Sequence, residues 1–400
     1  MRVTTNQLYV QSLNRIFELQ RNSVELQEQI ASGRRVNQPG DDPVAAATVL
    51  QLEERLQAIA QFDRNGVIAE QRLNQVDDVF GGVSNVLQRT RELLIQGRSE
   101  ALGAGDRRAV AAEIREQLDV LIDLGNTRNA SGEYIFAGAA VTTRPFTRDA
   151  DGQVSYNGDQ TVRRIQVSES RPVEESFSGH DAFVAVRNGN GTFTTRLGSG
   201  NTGTAQVSDN IVLDAGAYPA HDFRIAFTSA TTYDVIDDTS GTTVYSGQPY
   251  NAGAAIQFAG LAVTVFGDPA AGDEVLVEPS ANQSMFETAR RLAVALETPY
   301  FDAAQQARFG FDLDRTIEDI DQAMEKVAEL RATTGARLNT IDAQRRNNED
   351  ISINLETLRS RLQDVDLTAA VSQLAQQSSA LEAAQAAFVR VQGLSLFNFL

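Results

Sequence analysis

The sequence predicts an α+β fold: a discontinuous long-helix bundle or coiled coil formed by both termini, with an inserted antiparallel β domain between them. Three observations carry this. Residues 1 to about 135 hold no proline after Pro43, and apolar residues recur there at helical spacing among Glu, Gln and Arg. From about 142 to 282 the composition turns to Gly, Thr, Ser, Asp and Val; "DADGQ", "NGNG" and "DDTSG" separate short alternating runs such as "VRRIQVS", "FRIAFTS" and "LAVTVFG". From 283 the helical texture returns, broken around "ETPYFD" and near "QDVDL". The two ends resemble each other more than the middle. The expected organisation is therefore an N-terminal assembly helix and loop (1–42), a first bundle part (43–141), the β insertion (142–282), a second bundle part (283–362) and a C-terminal assembly helix (363–400).

The first helix carries two adjacent apolar seams, which make a wide stripe. Val10, Leu13, Phe17, Val24 and Ala31 form one, and Ile16, Leu19, Leu26 and Ile30 the other. The loop "ASGRRVNQPGDDPVAAA" follows: Gly33 is placed as a helix C-cap, Asp42 as an N-cap, and Pro43 at the first helical position, where its missing N–H costs nothing. Leu73, Val76, Phe80, Val83, Leu87 and Leu94 make one inner seam, and Ile317, Ile320, Met324, Val327, Leu338 and Ile341 another; both are expected in a packed core. The last helix repeats Leu367, Val371, Leu374, Leu381 and Phe388 as a heptad, with Ser378, Gln385 and Gln392 filling the other seam positions. Seams so diluted give a lone terminal helix too little buried area to offset its ordering entropy. The chain ends in "GLSLFNFL", where Leu394, Leu396, Phe397, Phe399 and Leu400 require cover from elsewhere.

Net charge of −18 and a pI near 4.6 argue against nucleic acid and anionic membranes as partners. The β zone holds 17 acidic against 8 basic side chains, which favours solubility of an exposed domain. Without cysteine there is no disulfide framework or thiolate metal site. The start lacks the uninterrupted apolar core of a cleaved secretory signal, and no stretch reaches the length of a membrane span. Catalytic chemistry finds little footing. His180 and His221 are the only histidines, neither is spaced with another metal ligand, and each reads as a surface loop residue. "GSGNTG" at 198–203 matches a dinucleotide fingerprint in letters but lies among β-turn signals and reads as a flexible loop. "DADGQ" lacks the calcium-loop ligand series and reads as a hairpin turn. The adjacent acids Glu174 and Glu175, and Asp237 and Asp238, read as solvated charge. No enzyme activity and no cofactor is expected.

The run Ser32, Gly33, Arg34 or Arg35, Val36, Asn37, Asp41, Asp42, Pro43 resembles the N-terminal signature of the bacterial flagellin superfamily. Flagellins usually follow the paired aspartates with alanine; Pro43 here is shared with the hook-associated branch, as are "GEYIFAG" at 132–138 and "SLFNFL" at 395–400. The resemblance implies a structural subunit of the bacterial flagellum, at the junction of hook and filament, that self-assembles helically through paired terminal helices. Its assembly interface would comprise Val10, Leu13, Phe17, Val24, Gly33, Asn37, Asp41, Asp42, Pro43, Leu367, Val371, Leu374, Leu381 and Phe388, with the apolar tail. Implied partners are copies of itself, a neighbouring hook-associated junction protein, flagellin, and a cytosolic flagellar export chaperone with the export apparatus. The implied location is extracellular. Two alternatives remain at this point: flagellin itself, or an adhesin or binding module on a helical stalk.

Overall fold

A computed structural model describes residues 5–99 and 101–396. Among them are six α-helices: α1 (Thr5–Ser32), α2 (Pro43–Gly97), α3 (Ala104–Gly125), α4 (Met285–Glu297), α5 (Ala303–Gln363) and α6 (Leu367–Leu396). Between α3 and α4 lie β1 (Phe146–Arg148), β2 (Val154–Tyr156), β3 (Arg164–Gln166), β4 (Pro172–Glu174), β5 (Val186–Arg187), β6 (Phe193–Leu197), β7 (Gln206–Val212), β8 (Phe223–Ser229), β9 (Thr232–Asp237), β10 (Thr242–Pro249), β11 (Ala255–Phe258), β12 (Leu261–Phe266), β13 (Glu274–Pro279) and β14 (Asn282–Gln283). All pairings are antiparallel, with orders β10-β9-β8-β13-β6 and β11-β12-β7 in the two larger sheets.

The chain makes two compact units, residues 1–64 with 343–400, and residues 65–342. The expected boundaries at 42/43 and 362/363 mark helix ends, whereas the units divide inside α2 and α5. Helices of 55 and 61 residues are long enough to serve both units without a break.

The unit of residues 65–342 holds two cores. The first buries Leu73, Val76, Phe80, Val83, Leu87 and Leu94 of α2 against Ile320, Val327 and Ile341 of α5, as the inner seams require. At its centre is an aromatic cluster: Phe80, Phe136 and Phe177 meet, Phe136 abuts Phe183, and Phe146 contacts Phe183 and Phe286. Phe136 comes from "GEYIFAG", so that segment is a plug into the helical core. Gly138 closes it at φ +68, where a Cβ would collide with Asp159.

Val167, Val173, Phe177, Phe183 and Val186 belong to this same core. The first part of the β insertion thus packs into the bundle core, because its short hairpins are too small to bury apolar side chains against one another. Only the second part has a core of its own, with Phe193, Phe223, Ile225, Phe227, Val235, Val263, Val265, Val275 and Val277. One face of α5 carries it. Arg308 donates to the Gly198 carbonyl at 2.5 Å, Phe311 enters the β core, Arg315 donates to Thr195 Oγ1 at 3.2 Å, and Asp319 accepts from the Gly189 N–H at 2.8 Å. Spacings of three and four place these four residues on one stripe.

Candidate assembly interface

In the unit formed by 1–64 and 343–400, α1 runs antiparallel to α6. A backbone clasp joins their inner ends: Arg34 bridges Asp364, Arg35 N–H donates to the Gln363 carbonyl at 2.7 Å, and Val365 N–H donates to the Gly33 carbonyl at 3.0 Å. Arg35 adds a guanidinium bond to the Leu362 carbonyl at 2.7 Å. Gly33 sits at φ +71, the left-handed conformation that ends a helix and frees its carbonyl for the clasp. Near the other end, the rings of Tyr9 and Phe388 lie 5.2 Å apart.

Both aspartates of the loop are engaged within it. Asp41 Oδ2 accepts from the N–H groups of Asn37 and Gln38 at 2.9 and 2.8 Å. Asn37 in turn donates to Ser32 Oγ at 2.9 Å. Asp42 Oδ1 accepts from Ala45 N–H at 3.0 Å, capping α2 at the turn that Pro43 opens, and its other oxygen pairs with Arg35 at 3.4 Å. The Ala45 bond first, with help from Arg35, holds the Asp42 carboxyl below its ordinary value against the opposing effect of desolvation. The contribution of Arg35 lacked a sequence signal beyond its place seven residues before Asp42.

Across the pair, α1 turns Ile16, Leu19, Ser23, Leu26 and Ile30 inward, and α6 turns Ala370, Leu374, Gln377, Leu381, Ala384 and Phe388. One seam track of α6 thus runs through 370, 377 and 384; Val371, Ser378 and Gln385 are exposed beside it. Only Ile16, Ser23 and Ala370 are buried among the described side chains of both helices. On the outer face Val10, Phe17 and Val24 stand 50%, 56% and 61% exposed at seven-residue intervals, and Leu13 is half-buried. A shallow groove lined by Phe17, Gln20, Arg21, Val24, Glu25 and Glu28 runs beside the last two of these. Leu367, Val371 and Val389 of α6 are exposed too. Of its 30 residues only Glu382 and Arg390 are charged, an unusual surface for a helix left facing water. Leu394 and Leu396 fall in its last turn, without described side chains; Phe397, Phe399 and Leu400 lie outside the described residues.

The residues weighed for catalysis are dispersed. Among the described residues no group of three His, Asp or Glu is arranged to hold a metal ion, and no helix is long and apolar enough to cross a membrane. His180 lies 6.3 Å from the Tyr156 ring. His221 Nδ1 pairs with Asp237 at 2.8 Å, which with the Ser240 N–H draws the Asp237 carboxyl down to about 2. Asp237 and Glu175 are thus not solvated charge: each is buried, and Glu175 meets Arg72 and Arg163. Their pairing partners are distant in sequence, which is why the pattern of adjacent acids hid them. The loop "GSGNTG" is held as well: buried Asp273 accepts from Thr202 N–H at 2.8 Å and Gly203 N–H at 3.0 Å. "DADGQ" does form the β1–β2 hairpin turn, with Asp149 Oδ1 accepting from Asp151 and Gln153.

Residues 3–141 match the bacterial flagellin N-terminal helical region and residues 317–400 the bacterial flagellin C-terminal helical region. The flagellar hook-associated protein 3 of Escherichia coli (strain K12) is 24% identical over 399 residues, covering 100% of this chain and 99% of that protein. The crystal structure of flagellar hook associated protein-3 from Legionella pneumophila superposes with a TM-score of 0.72 at 30% identity, over 78% of this chain and 99% of that one. That of Xanthomonas campestris FlgL gives 0.71 at 30% identity, over 77% and 99%.

Proposed function

The chain belongs to the bacterial flagellin family, within its hook-associated protein 3 group, and we propose that it joins the flagellar hook to the filament by stacking helically through its α1–α6 pairs. It is a structural subunit of the flagellum. The observation that carries the assembly mechanism is the stripe of Val10, Phe17 and Val24 left open on a pair of helices that buries only three described side chains. A surface of this kind favours contacts with further copies, and made head to tail these have the geometry of a tube. Each of these side chains has about half its surface left to cover, which contributes on the order of 1 kcal/mol apiece before ordering costs.

Besides its own copies, the subunit meets a second hook-associated protein on one side and flagellin on the other. Before assembly an export chaperone masks the apolar tail in the cytosol, and the chain leaves through the flagellar export apparatus to its extracellular place. The role is mechanical and not enzymatic; His221 is hydrogen-bonded to Asp237, and Glu175 is paired with Arg72. Deletion of the gene followed by electron microscopy tests the role: hooks without filaments, with flagellin released to the medium, are expected. Filaments of normal length would overturn it.

A further inference from the structure

The inward face of the α1–α6 pair contains two polar atoms with no hydrogen-bond partner among the described residues, Ser23 Oγ and Gln377 Oε1. Ser23 is 8% exposed, and Gln377 occupies a seam position between Leu374 and Leu381. The Tyr9–Phe388 ring contact and the Arg34–Asp364 bridge mark the antiparallel register, and in it the two side chains fall within one helical turn of each other along the pair. Elsewhere the inward positions are Ile, Leu, Ala and Phe, apart from the partly buried Ser12 seven residues before Leu19. Resting on the assembly reading above, we propose that Ser23 and Gln377 form a polar layer that determines which residues of α1 face which of α6.

An uncharged polar pair in an apolar seam lowers stability but makes one register better than its neighbours. In the observed register the two atoms stand at one level of the seam, where a shared bridging water would satisfy both. A shift of one heptad moves one helix along the other by about 10 Å, takes the two side chains off one level and leaves each alone against aliphatic side chains. The clasp at 33–35 and 363–365 pins only one end. Over the rest of the pair the seam is otherwise permissive, since Leu and Ala recur at equivalent heptad positions, so sliding and pairing with another copy's helix both need to be opposed. A subunit whose terminal helices cross an export route before pairing needs this selectivity more than it needs a strong pair.

The chain has no cysteine, so introduced pairs report register cleanly. Ile16→Cys with Leu381→Cys reads the observed register without touching the Tyr9–Phe388 contact, and Ile16→Cys with Leu374→Cys reads a one-heptad shift; cross-linked monomers are separated from cross-linked dimers by electrophoresis. In the parent, the first pair cross-links within the monomer and the second does not. Adding Ser23→Ala and Gln377→Leu is expected to raise amide-exchange protection across residues 16–26 and 370–381 about tenfold or more, while the shifted cross-link and dimers appear. A role in packing alone predicts the reverse, with protection falling and the register intact. Unchanged or lower protection, or a register that stays single, overturns the polar layer. Because the measurement uses purified protein without hook or filament, it fails or succeeds independently of the junction role, and the single variant Ser23→Ala gives a second reading should the double variant aggregate.

Discussion

Asp42 acts first as a cap. Asp42→Asn keeps an oxygen for Ala45 N–H and is expected to leave stability nearly unchanged, while Asp42→Ala costs about 1 kcal/mol in thermal or denaturant unfolding. The carboxylates at 41 and 42 carried a family signature in the sequence, yet their partners Asn37, Gln38 and Arg35 emerge only when the loop is folded. Asp237 gives a pH signature. Its folded value of about 2 lies below the ordinary 3.8, so its stabilising contribution is complete above about 3.8 and is lost as pH falls toward 2. Acid unfolding of the β domain, followed by tyrosine fluorescence, should therefore shift to higher pH in His221→Ala; an unchanged acid midpoint would remove the pair from the account.

At the scale of elements, the seams of α2 and α5 were legible because a three-four period is a local property, and Phe80 and Ile320 lie where it puts them. The seam of α6 was legible on one track only: Leu374, Leu381 and Phe388 face α1, but Ala370, Gln377 and Ala384 complete the inward face instead of Val371, Ser378 and Gln385. Small and polar residues weigh little in an apolar pattern, so the larger Val371 drew the assignment to itself. The division of the β zone was illegible for another reason. Alternation reads the same in a strand whichever core receives its apolar face: Val167 ends one such run and Ile225 lies within another, yet the first enters the bundle core and the second the β core. Replacing residues 190–279 with a short linker, together with Phe311→Ser, is expected to keep helical circular dichroism and the melting of the bundle, since Asn188 and Ala281 already meet at 3.0 Å. Removing 150–275 deletes Phe177 and Phe183 from the bundle core, each a loss of about 3–5 kcal/mol, and should unfold it.

For the whole molecule, the decisive feature is an apolar surface that folding does not consume. Phe17→Ser with Val24→Ser touches side chains more than half exposed, so the monomer's melting temperature should barely change, while assembly should fail. A drop in monomer stability with assembly intact would make those residues part of the subunit's own core. The general class of the molecule, helical ends around a β insertion, was readable from composition and period. The clasp between residues 33–35 and 363–365 was not, because almost the whole length of the chain separates its two sides. The most direct measurement is the protein's position on the intact organelle. Immunogold electron microscopy with antibody to the β domain is predicted to label a single narrow band where hook meets filament; label spread along the filament would contradict the junction role and make the chain a filament subunit.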